Sequence, residues 1–285
     1  MAFPTVSKSV LKKIFPKRAP WARKGEFGRL LVVGGSKRFH GSPVFNSFAA
    51  YRAGCDLVFL AAPRRAADLA AAFSPSIITY PLEGEYFSPV HVEEVLQLQR
   101  DYSATAMVVG GGMWRELETF VAIRELIRKT DLPLVIDADA IRAIAQTPEV
   151  LRGKKCIITP HSEEFRVLSG IRLSSDVAQR AQAAQKVAQK LGATILLKGH
   201  VDVLSDGGKA ALNKTGTPFM TKGGFGDCLA GICGAFLARG ASPFDAACAA
   251  AFVNGKAGEL AAREKGESLM PMDSVEKISQ VLRGI

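Results

Sequence analysis

Short apolar runs, each followed by glycine, proline or polar residues, constrain the fold of this chain more than any other feature. Helical patterns separate the runs, which is the arrangement of strands joined by helices. Because the runs are almost continuously apolar, the sheet that they form should be covered on both faces. We therefore predict a three-layer α/β/α domain with a mostly parallel central sheet. The runs are Leu30–Val33, Leu57–Ala61, Met107–Val109, Leu134–Ile136, Cys156–Ile158 and Thr194–Leu197.

The C-terminal half carries readable helix starts and a hairpin. Asp176 precedes apolar residues at three- and four-residue spacing, and Ser242 followed by Pro243 has the residue types of a helix cap and first turn. An Ala-rich helix is expected after Pro243, as far as about Ala262, and a short amphipathic helix over 275–282. Residues 201–212 are typical of a hairpin, which would add an antiparallel edge to the sheet.

Length and composition indicate one large domain. The chain has 285 residues, of which 48% are hydrophobic, and no repeat or linker divides it. We predict a single domain over residues 24–285, preceded by a basic N-terminal extension over residues 1–23. No apolar run approaches the roughly 20 residues of a membrane helix, and the N-terminus lacks the apolar core of a secretory signal. The five cysteines form no C-x-x-C pair, which favours a reducing cytoplasm without a zinc site.

The formal net charge of +10 points to an anionic partner, either a nucleic acid or a small anionic ligand. The basic residues are spread along the chain, although they are dense between Lys8 and Lys24. No interleaving of aromatic and basic residues suggests a base-stacking surface for nucleic acid. The sequence therefore favours an anionic nucleotide over DNA or RNA.

A glycine-rich segment before an apolar run is the strongest single indication of chemistry. Gly223, Gly224 and Gly226 precede Asp227 at the expected start of a helix over 228–237. Such a turn directs backbone N–H groups at an anion, and the helix N-terminus adds unpaired donors and the positive end of its dipole. A carboxylate beside a bound phosphate is placed to take a proton from a hydroxyl. The alternative is an ordinary loop that an aspartate caps.

Taken in order, the loops after the predicted strands resemble the ADP- or ATP-dependent NAD(P)H-hydrate dehydratases of the ribokinase-like superfamily. The resemblance spans about Lys24 to Ala262, and the motifs are specific as an ordered set rather than singly. The motifs that carry it are Lys24-Gly25-Glu26-Phe27-Gly28, Gly41, Asp137-Ala138-Asp139-Ala140, Thr159-Pro160-His161, Lys198-Gly199 and Gly223-Gly224-Phe225-Gly226-Asp227.

The resemblance implies a cofactor-repair lyase. ADP or ATP, with Mg²⁺, would phosphorylate the hydroxyl of hydrated NADH or NADPH, and loss of phosphate would restore the cofactor. It also implies a homo-oligomer. The cysteines, the charge pattern and the lack of a long apolar run separately predict a cytoplasmic protein with no nucleic acid or membrane partner. Two other functions share the glycine turn and its acid: a kinase for a sugar or vitamin alcohol, and a nucleotide sensor without catalysis.

The same resemblance assigns roles to individual residues. Asp227 would be the catalytic base and also contact the substrate, and the three glycines before it would form an anion hole. Asp137 and Asp139 would orient Mg²⁺ or water near the phosphates. Nucleotide contacts are implied for Lys198, Gly199, His200, Val201, Asp202, Gly223, Gly224 and Gly226, and substrate contacts for Ser42, Gly112 and His161.

Structural roles compete with several of these assignments. Lys198 could be a solvated surface lysine and His161 a structural histidine, while Glu164 is expected to cap the following helix. Asp137 and Asp139 could cap the next turn instead of serving the phosphates. Simple turn roles are open for Ser36 and Gly41.

The chain departs from the family pattern around the glycine turn. Thr217, Phe219, Lys222 and Phe225 replace the family's Asn, Gly, Thr and Thr, and a third glycine replaces the proline of Gly-Pro-Gly at 110–112. We expect Phe225 to add bulk to the turn, Lys222 to add a charge that favours anions, and Phe219 to narrow a nucleotide channel or stack on a base. The acid and the glycines are kept, which favours retained catalysis.

Overall fold

A twisted sheet forms the centre of the domain. The computed structural model describes residues 3–283 and 285, and in this part of the chain nine strands form one sheet. The strands are β1 Arg29–Val33, β2 Leu57–Pro63, β3 Ile78–Leu82, β4 Ala106–Val109, β5 Leu134–Ile136, β6 Cys156–Ile158, β7 Thr194–Leu197, β8 Asp202–Ser205 and β9 Ala210–Asn213. Their spatial order is β3-β2-β1-β4-β5-β6-β7-β8-β9. The first seven pair in parallel, and β8 and β9 add an antiparallel edge.

Helices cover both faces of the sheet. Within the described residues they are α1 Gly41–Arg52, α2 Arg64–Phe73, α3 Val92–Asp101, α4 Leu117–Lys129, α5 Asp139–Ala145, α6 Ser162–Ser169, α7 Val177–Leu191, α8 Phe225–Ala238, α9 Pro243–Lys265 and α10 Pro271–Leu282. Helices α1, α2, α8, α9 and α10 pack on one face, and α3 to α7 on the other. This confirms the predicted three-layer α/β/α fold.

The alternation of side chains along each strand divides the core in two. In β1, Leu30 and Val32 are buried against the α8–α9 face, whereas Leu31 and Val33 are buried against the α3–α7 face. Because successive strand side chains point to opposite faces, a strand between two helix layers must be apolar at every position. The continuous apolar runs of the sequence have this origin.

The N-caps of the long helices α7 and α9 are the residues that the sequence predicted. A carboxylate oxygen of Asp176 accepts a hydrogen bond from the backbone of Gln179 at 2.7 Å, and α7 starts at the next residue. The hydroxyl of Ser242 accepts from the backbone of Asp245 at 3.2 Å, and α9 starts at Pro243. These hydrogen bonds satisfy N–H groups that have no partner inside the helix. Helix α9 runs to Lys265, three residues beyond its predicted end.

Strand β3 was not predicted. It lies at the edge of the sheet, its first residue Ile78 is 41% exposed, and it contains Pro81. Proline cannot donate to a strand ladder and is confined to edges, so this segment lacks the apolar run of a central strand. Its partner β2 supplies the parallel neighbour that holds it in the sheet.

The N-terminal segment packs on the domain. Thr5 bridges Leu212 of β9, and the short 3-10 helix Lys8–Lys13 lies against α9. Leu11 and Ile14 are buried in the same apolar cluster as α8 and α9. A domain boundary at residue 23 stays a prediction. Within residues 3–283 and 285, every helix is too short or too polar to cross a membrane.

Candidate active site

An open cleft of about 1040 Å³ lies at the carboxyl ends of the central strands. Loops that follow β5, β6 and β7 form one wall, and the start of α8 with the preceding segment 214–224 forms the other. Open α/β sheets bind ligands at this edge, because every parallel strand ends there in a loop. Eleven of the sequence-predicted site residues share the lining: Ser42, Asp137, His161, Lys198, Gly199, His200, Asp202, Gly223, Gly224, Gly226 and Asp227.

The N-terminus of α8 opens into the cleft. Gly224 is the N-cap at φ +103, a left-handed conformation that glycine adopts without strain. The backbone N–H of Cys228 bonds the Gly224 carbonyl at 3.0 Å. The N–H groups that precede it at Phe225, Gly226 and Asp227 have no acceptor inside the helix, since the first turn lacks them. Together with Gly223, these residues line the cleft, so the helix presents unpaired donors to a bound anion.

Asp227 lies in the first turn of α8 at the floor of the cleft. Although its side chain keeps some exposure toward the cleft, burial among protein atoms raises its pKa from 3.8 to about 7, and the nearby Asp137 carboxylate adds to the rise. The Ser42 hydroxyl and the Lys198 ammonium oppose this shift. A carboxylate with a pKa near neutrality is suited to accept a proton in a reaction at neutral pH.

Lys198 stands at the centre of a group of carboxylates. Its ammonium nitrogen lies 3.3 Å from Asp137 Oδ1 and 3.8 Å from Glu164 Oε2. Burial alone would lower the pKa of Lys198, but the charges of Asp137, Glu164 and Asp227 leave that pKa raised. A Cβ atom on Gly226 would lie 3.3 Å from the same nitrogen, so the cation also borders the N-terminus of α8. Lys198 is therefore a charged cleft residue and not a solvated surface lysine.

The two aspartates after β5 point in different directions. Asp137 lines the cleft, and its Oδ1 accepts a hydrogen bond from the Thr159 hydroxyl at 2.7 Å. Asp139 lies outside the cleft lining and accepts hydrogen bonds from the Trp114 backbone and the Arg115 guanidinium. Between the two aspartates, Ala138 has φ +48, an unfavourable conformation for a residue with a Cβ. The predicted pair of phosphate-side aspartates is thus reduced to Asp137.

His161 and Glu164 form the cap of α6. The His161 ring nitrogen Nδ1 accepts from the Glu163 and Glu164 backbones at 3.1 and 3.2 Å, and Glu164 Oε2 accepts from the His161 backbone at 2.9 Å. The predicted capping role of Glu164 is therefore observed, in addition to its contact with Lys198. His161 combines its cap with 51% side-chain exposure on the cleft wall.

The segment after Lys198 connects the parallel sheet to the hairpin. Asp202 Oδ1 accepts from the Gly199 backbone at 3.0 Å, and its Oδ2 accepts from the Asn213 amide at 3.0 Å. Burial raises the pKa of Asp202, while these two donors lower it. His200 lines the cleft, whereas Val201 lies outside the lining and packs on the core of the α3–α7 face.

Ser42 and the Gly110–Gly112 loop reach Asp227 from the opposite side. A Cβ atom on Gly111 would lie 2.9 Å from Asp227 Oδ1 and 3.2 Å from the Ser42 Cβ. Gly112, at φ +68, lies outside the large cleft, and a Cβ there would lie 2.8 Å from the Phe39 carbonyl. The loop therefore needs small residues to pass this close to the acid.

Of the residues that depart from the family pattern, Thr217, Lys222 and Phe225 line the cleft and Phe219 does not. The Lys222 ammonium donates hydrogen bonds to the carbonyl oxygens of Glu267 and Leu269, which hold this cation at the margin of the cleft. The Phe225 ring is buried against Leu269 and Ala261, so its bulk fills a small core rather than the turn. Phe219, 37% exposed, lies outside the cleft lining and does not narrow the channel. The expectations that the Phe225 ring adds bulk to the turn and that Phe219 narrows the channel were therefore wrong, whereas an effect of Lys222 on anions and a stack of Phe219 on a base stay predictions.

Sequence reasoning assigned no role to three residues that support the site. Thr159 holds Asp137, and the Asn46 amide donates to the Asp227 backbone carbonyl at 2.7 Å. The buried Asn46 Oδ1 has no hydrogen-bond partner in the described part of the chain. Thr215 packs on α9 where a Cβ on Gly255 would collide with its hydroxyl at 2.2 Å. Asn46 was detectable as a polar residue on an otherwise buried helix face.

Metal ligands are sparse in this arrangement. No group of three or more His, Cys, Asp or Glu side chains among residues 3–283 and 285 is placed to hold a metal ion. Mg²⁺ is commonly held by one or two carboxylates together with substrate phosphates and water. Asp137, beside the cleft and the α8 N-terminus, fits that limited role.

Comparison with known proteins assigns the family. The family model described as NAD(P)H-hydrate dehydratase matches residues 30–281. An ADP-dependent (S)-NAD(P)H-hydrate dehydratase from Cenarchaeum symbiosum is 38% identical over 99% of this chain and 98% of that protein. A bifunctional NAD(P)H-hydrate repair enzyme from Pyrobaculum aerophilum is 44% identical over 94% of this chain and 53% of that protein. The chain thus spans about half the length of such bifunctional relatives.

A solved structure confirms the ribokinase-like fold class. The ADP/ATP-dependent NAD(P)H-hydrate dehydratase from Bacillus subtilis, co-crystallised with ATP and Mg²⁺, superposes with a TM-score of 0.86 at 23% identity, covering 99% of both chains. At 23% identity this structure shows the fold alone, whereas the family model and the sequence relatives show the family. On that evidence the chain belongs to the NAD(P)H-hydrate dehydratase family.

Proposed function

We propose that this chain uses ADP or ATP to dehydrate hydrated NADH or NADPH, and so returns the damaged cofactor to its working form. The observation that carries the proposal is Asp227, whose pKa is raised to about 7 at the N-terminus of α8 on the floor of the cleft. The relative from Cenarchaeum symbiosum, which this chain matches over nearly its full length, has a name that states this activity.

The proposed reaction begins with a proton transfer. Asp227 accepts the proton of the hydrate hydroxyl, and the hydroxyl oxygen forms a bond to the terminal phosphorus of the nucleotide. The bond from that phosphorus to the bridging oxygen breaks, which releases AMP from ADP or ADP from ATP. The lone pair of the ring nitrogen then expels the phosphate, the C–O bond breaks, and loss of a ring proton gives NADH or NADPH.

The cleft supplies charge stabilisation for this transfer. The unpaired N–H groups at the start of α8 face the position of the transferred phosphoryl group, and Lys198 lies beside them. In such a reaction the protein contributes positioning and electrostatics, since little covalent chemistry is left to it. Thr159 and Glu164 hold the Asp137–Lys198 pair in place.

Mg²⁺ would join the nucleotide rather than a preformed cage. The Asp137 carboxylate is the group on this wall that fits one coordination position, with phosphates and water filling the others. Bound there, the ion would neutralise phosphate charge. Lys198, which pairs with Asp137 in this structure, would keep the carboxylate oriented toward the cleft.

The nucleoside would extend along segment 214–218. This segment lines the cleft opposite Lys198 and rests on α9, where Gly255 permits the close approach of Thr215. Ala251 and Asn254 of the same helix complete this wall. The small side chains of Ala251 and Gly255 leave room on this wall for a base, which would bind there through van der Waals contact.

A ligand screen and an activity assay test the proposal together. Ligands that bind only the native state raise the melting temperature by mass action, so ADP, ATP, AMP, NADH and NADPH should be compared by thermal shift. Turnover of hydrated NADH with ADP or ATP should then yield NADH. A phosphorylated product that persists would indicate a kinase for another alcohol, and binding without any turnover would indicate a nucleotide sensor.

A cytoplasmic location and a homo-oligomeric state belong to the same proposal. All five cysteines are buried and free, which suits a reducing compartment. Sedimentation of the purified protein checks the oligomeric state, and a single species at monomer mass would contradict it.

A further inference from the structure

Three loops at the carboxyl edge of the sheet bring aromatic side chains together beside the cleft. Phe39 follows β1, Tyr86 follows β3 and Trp114 follows β4. The Phe39 and Trp114 ring centroids lie 5.4 Å apart, and those of Tyr86 and Trp114 lie 6.3 Å apart. Phe39 is 50% exposed, so part of its ring faces solvent. We call Arg38, Phe39, Tyr86 and Trp114 the aromatic surface.

Trp114 is held in place by specific contacts. It has φ +76, a costly left-handed conformation for a bulky residue, and its backbone N–H donates to Asp139 Oδ2 at 3.1 Å. Its indole N–H donates to Glu116 Oε1 at 2.9 Å. Asp139, which does not reach the cleft, therefore has a structural task here. Such strain persists where surrounding contacts over-determine it, and it is concentrated at functional sites.

Arg38 gives this surface a free positive charge. Its guanidinium lies 4.8 Å from the Trp114 ring centroid and has no ion pair or side-chain hydrogen bond among the described residues. The neighbouring cations are paired, since Lys37 contacts Glu85 and Arg115 contacts Asp139. A half-exposed Phe39 ring, backed by the partly buried Tyr86 and Trp114, next to a guanidinium without an ion pair among the described residues matches the two parts of a nucleotide, the base and its phosphates.

The aromatic surface reaches the catalytic acid through the glycine loop. A Cβ atom on Gly112 would lie 2.9 Å from the Phe39 Cβ, and one on Gly111 would lie 2.9 Å from Asp227 Oδ1. The large cleft that contains Lys198 does not include any residue of the aromatic surface. The glycine loop thus lies between Asp227, which lines the cleft, and the aromatic surface.

We infer that the aromatic surface binds the adenosine half of the dinucleotide substrate, with the base stacked against Phe39 and the pyrophosphate near Arg38. The inference rests on the proposed function. The proposed nucleotide site takes up the part of the cleft between Lys198 and segment 214–218, and the hydrated ring must lie at Asp227, so we take the rest of the dinucleotide to extend past the glycine loop. The glycine loop leads from Asp227 to Phe39 along that route.

Truncated substrate separates this inference from a general effect on the enzyme. Hydrated NADH is compared with hydrated reduced nicotinamide mononucleotide, which lacks the adenosine half. In Phe39→Ala, the KM for the dinucleotide should rise by about 5-fold or more, as expected for loss of one base stack, while the KM for the mononucleotide stays unchanged. Phe39→Trp should restore the preference for the dinucleotide. Arg38→Ala should also raise the KM for the dinucleotide, and to a smaller extent that for the mononucleotide, because the mononucleotide keeps one of the two phosphates.

Phe73→Ala is the matched control. Phe73 is 51% exposed and, like Phe39, contacts one other aromatic ring, but it ends α2 at the opposite edge of the sheet. Its replacement should leave both KM values unchanged. Equal changes in both KM values for Phe39→Ala would overturn the inference, as would no change in either.

A binding measurement distinguishes failure of the inference from failure of the proposed function. The chain has two tryptophans, so a Trp21→Phe background leaves Trp114 as the reporter. With ADP saturating the cleft, NADH should quench this fluorescence, and Phe39→Ala should weaken the binding by about 5-fold or more. No quenching in the parent would overturn the inference whatever the activity. Quenching that depends on Phe39, in a protein that converts no hydrate, would uphold the surface and refute the proposed function.

Discussion

The ammonium nitrogen of Lys198 lies 3.3 Å from Oδ1 of Asp137, at a point where it also borders Gly226 in the first turn of α8. One cation thereby links the loop after β5, the loop after β7 and the anion-binding end of a helix. Its charge partly offsets the effect of Asp137 on Asp227. The pKa of Asp227, the proposed base, therefore depends on Asp137, which raises it, and on Lys198, which lowers it.

Removing the base should abolish turnover and keep nucleotide binding. In Asp227→Asn the amide cannot accept the hydroxyl proton, so kcat should fall by roughly 10²- to 10⁴-fold, the range for general acid–base catalysis. ADP affinity, measured by calorimetry, should remain because the backbone donors of α8 are unchanged. Asp68→Asn, at an exposed position on α2, is the control and should behave as the parent. Full activity in Asp227→Asn would refute the assigned role.

The pH dependence of activity should report Asp227. Because its pKa is about 7, kcat/KM should rise with pH below that value and level off above it. Well below pH 7, each unit of acidification should cost about 10-fold, since the base form falls in proportion. A profile that is flat from pH 5 to 8 would contradict the assignment.

The free energy of unfolding should also depend on pH because the pKa of Asp227 is raised in the folded state. Between pH 4 and 7 the folded state holds a proton on Asp227 that the unfolded state has lost, so this group lowers stability as pH rises through that window. Asp227→Asn lacks this cost. Its melting temperature should therefore gain on that of the parent between pH 4 and 7 and stay ahead above pH 7. A constant difference across the range would argue against the raised pKa.

Lys198 should affect both nucleotide binding and the pH profile. Lys198→Ala removes a charge-assisted contact to phosphate, so the KM for ADP or ATP should rise by about 10- to 100-fold. Because the ammonium lowers the pKa of Asp227, its loss should also move the midpoint of the pH profile upward. Lys186→Ala, an exposed lysine on α7, should change neither quantity. A raised KM with an unmoved midpoint would separate Lys198 from Asp227.

Lys222 should matter for stability rather than for the nucleotide. Lys222→Thr restores the residue of the family pattern and removes two hydrogen bonds to the carbonyls of Glu267 and Leu269. Unfolding free energy should drop by about 1 kcal/mol, whereas ADP affinity should hardly change. Lys265→Thr, in the last turn of α9, serves as the comparison. Weaker ADP binding by Lys222→Thr at an unchanged free energy of unfolding would instead indicate that Lys222 contributes to anion binding.

The layers of the fold were predictable because burial on two faces forces a readable pattern. Strands β5, β6 and β7 have the predicted bounds, since central strands must be apolar at every position. Edge strand β3 was missed, because Pro81 and partial exposure remove that constraint. The caps at Asp176 and Ser242 were predictable because the capping side chain belongs to the residue directly before the helix, so that the signal is local in sequence.

The sequence predicted which residues form the site better than it predicted the orientation of their side chains. Sequence placed Asp227 and Lys198 at strand and helix ends, where parallel topology brings them together. It could not tell that Asp139 turns to Trp114 or that Lys222 turns to Leu269, because those orientations depend on contacts between distant segments. The Asn46 contact to Asp227 has the same origin, since 181 residues separate its partners.

Recovery of NADH absorbance shows whether this chain dehydrates hydrated NADH. Purified protein is mixed with hydrated NADH and either ADP or ATP, and NADH is followed together with orthophosphate and the spent nucleotide. NADH should return only when nucleotide is present, in equal amounts with orthophosphate and with AMP or ADP, and Asp227→Asn should show none of this. Folded protein that binds the nucleotide yet returns no NADH with either one would contradict the proposed function.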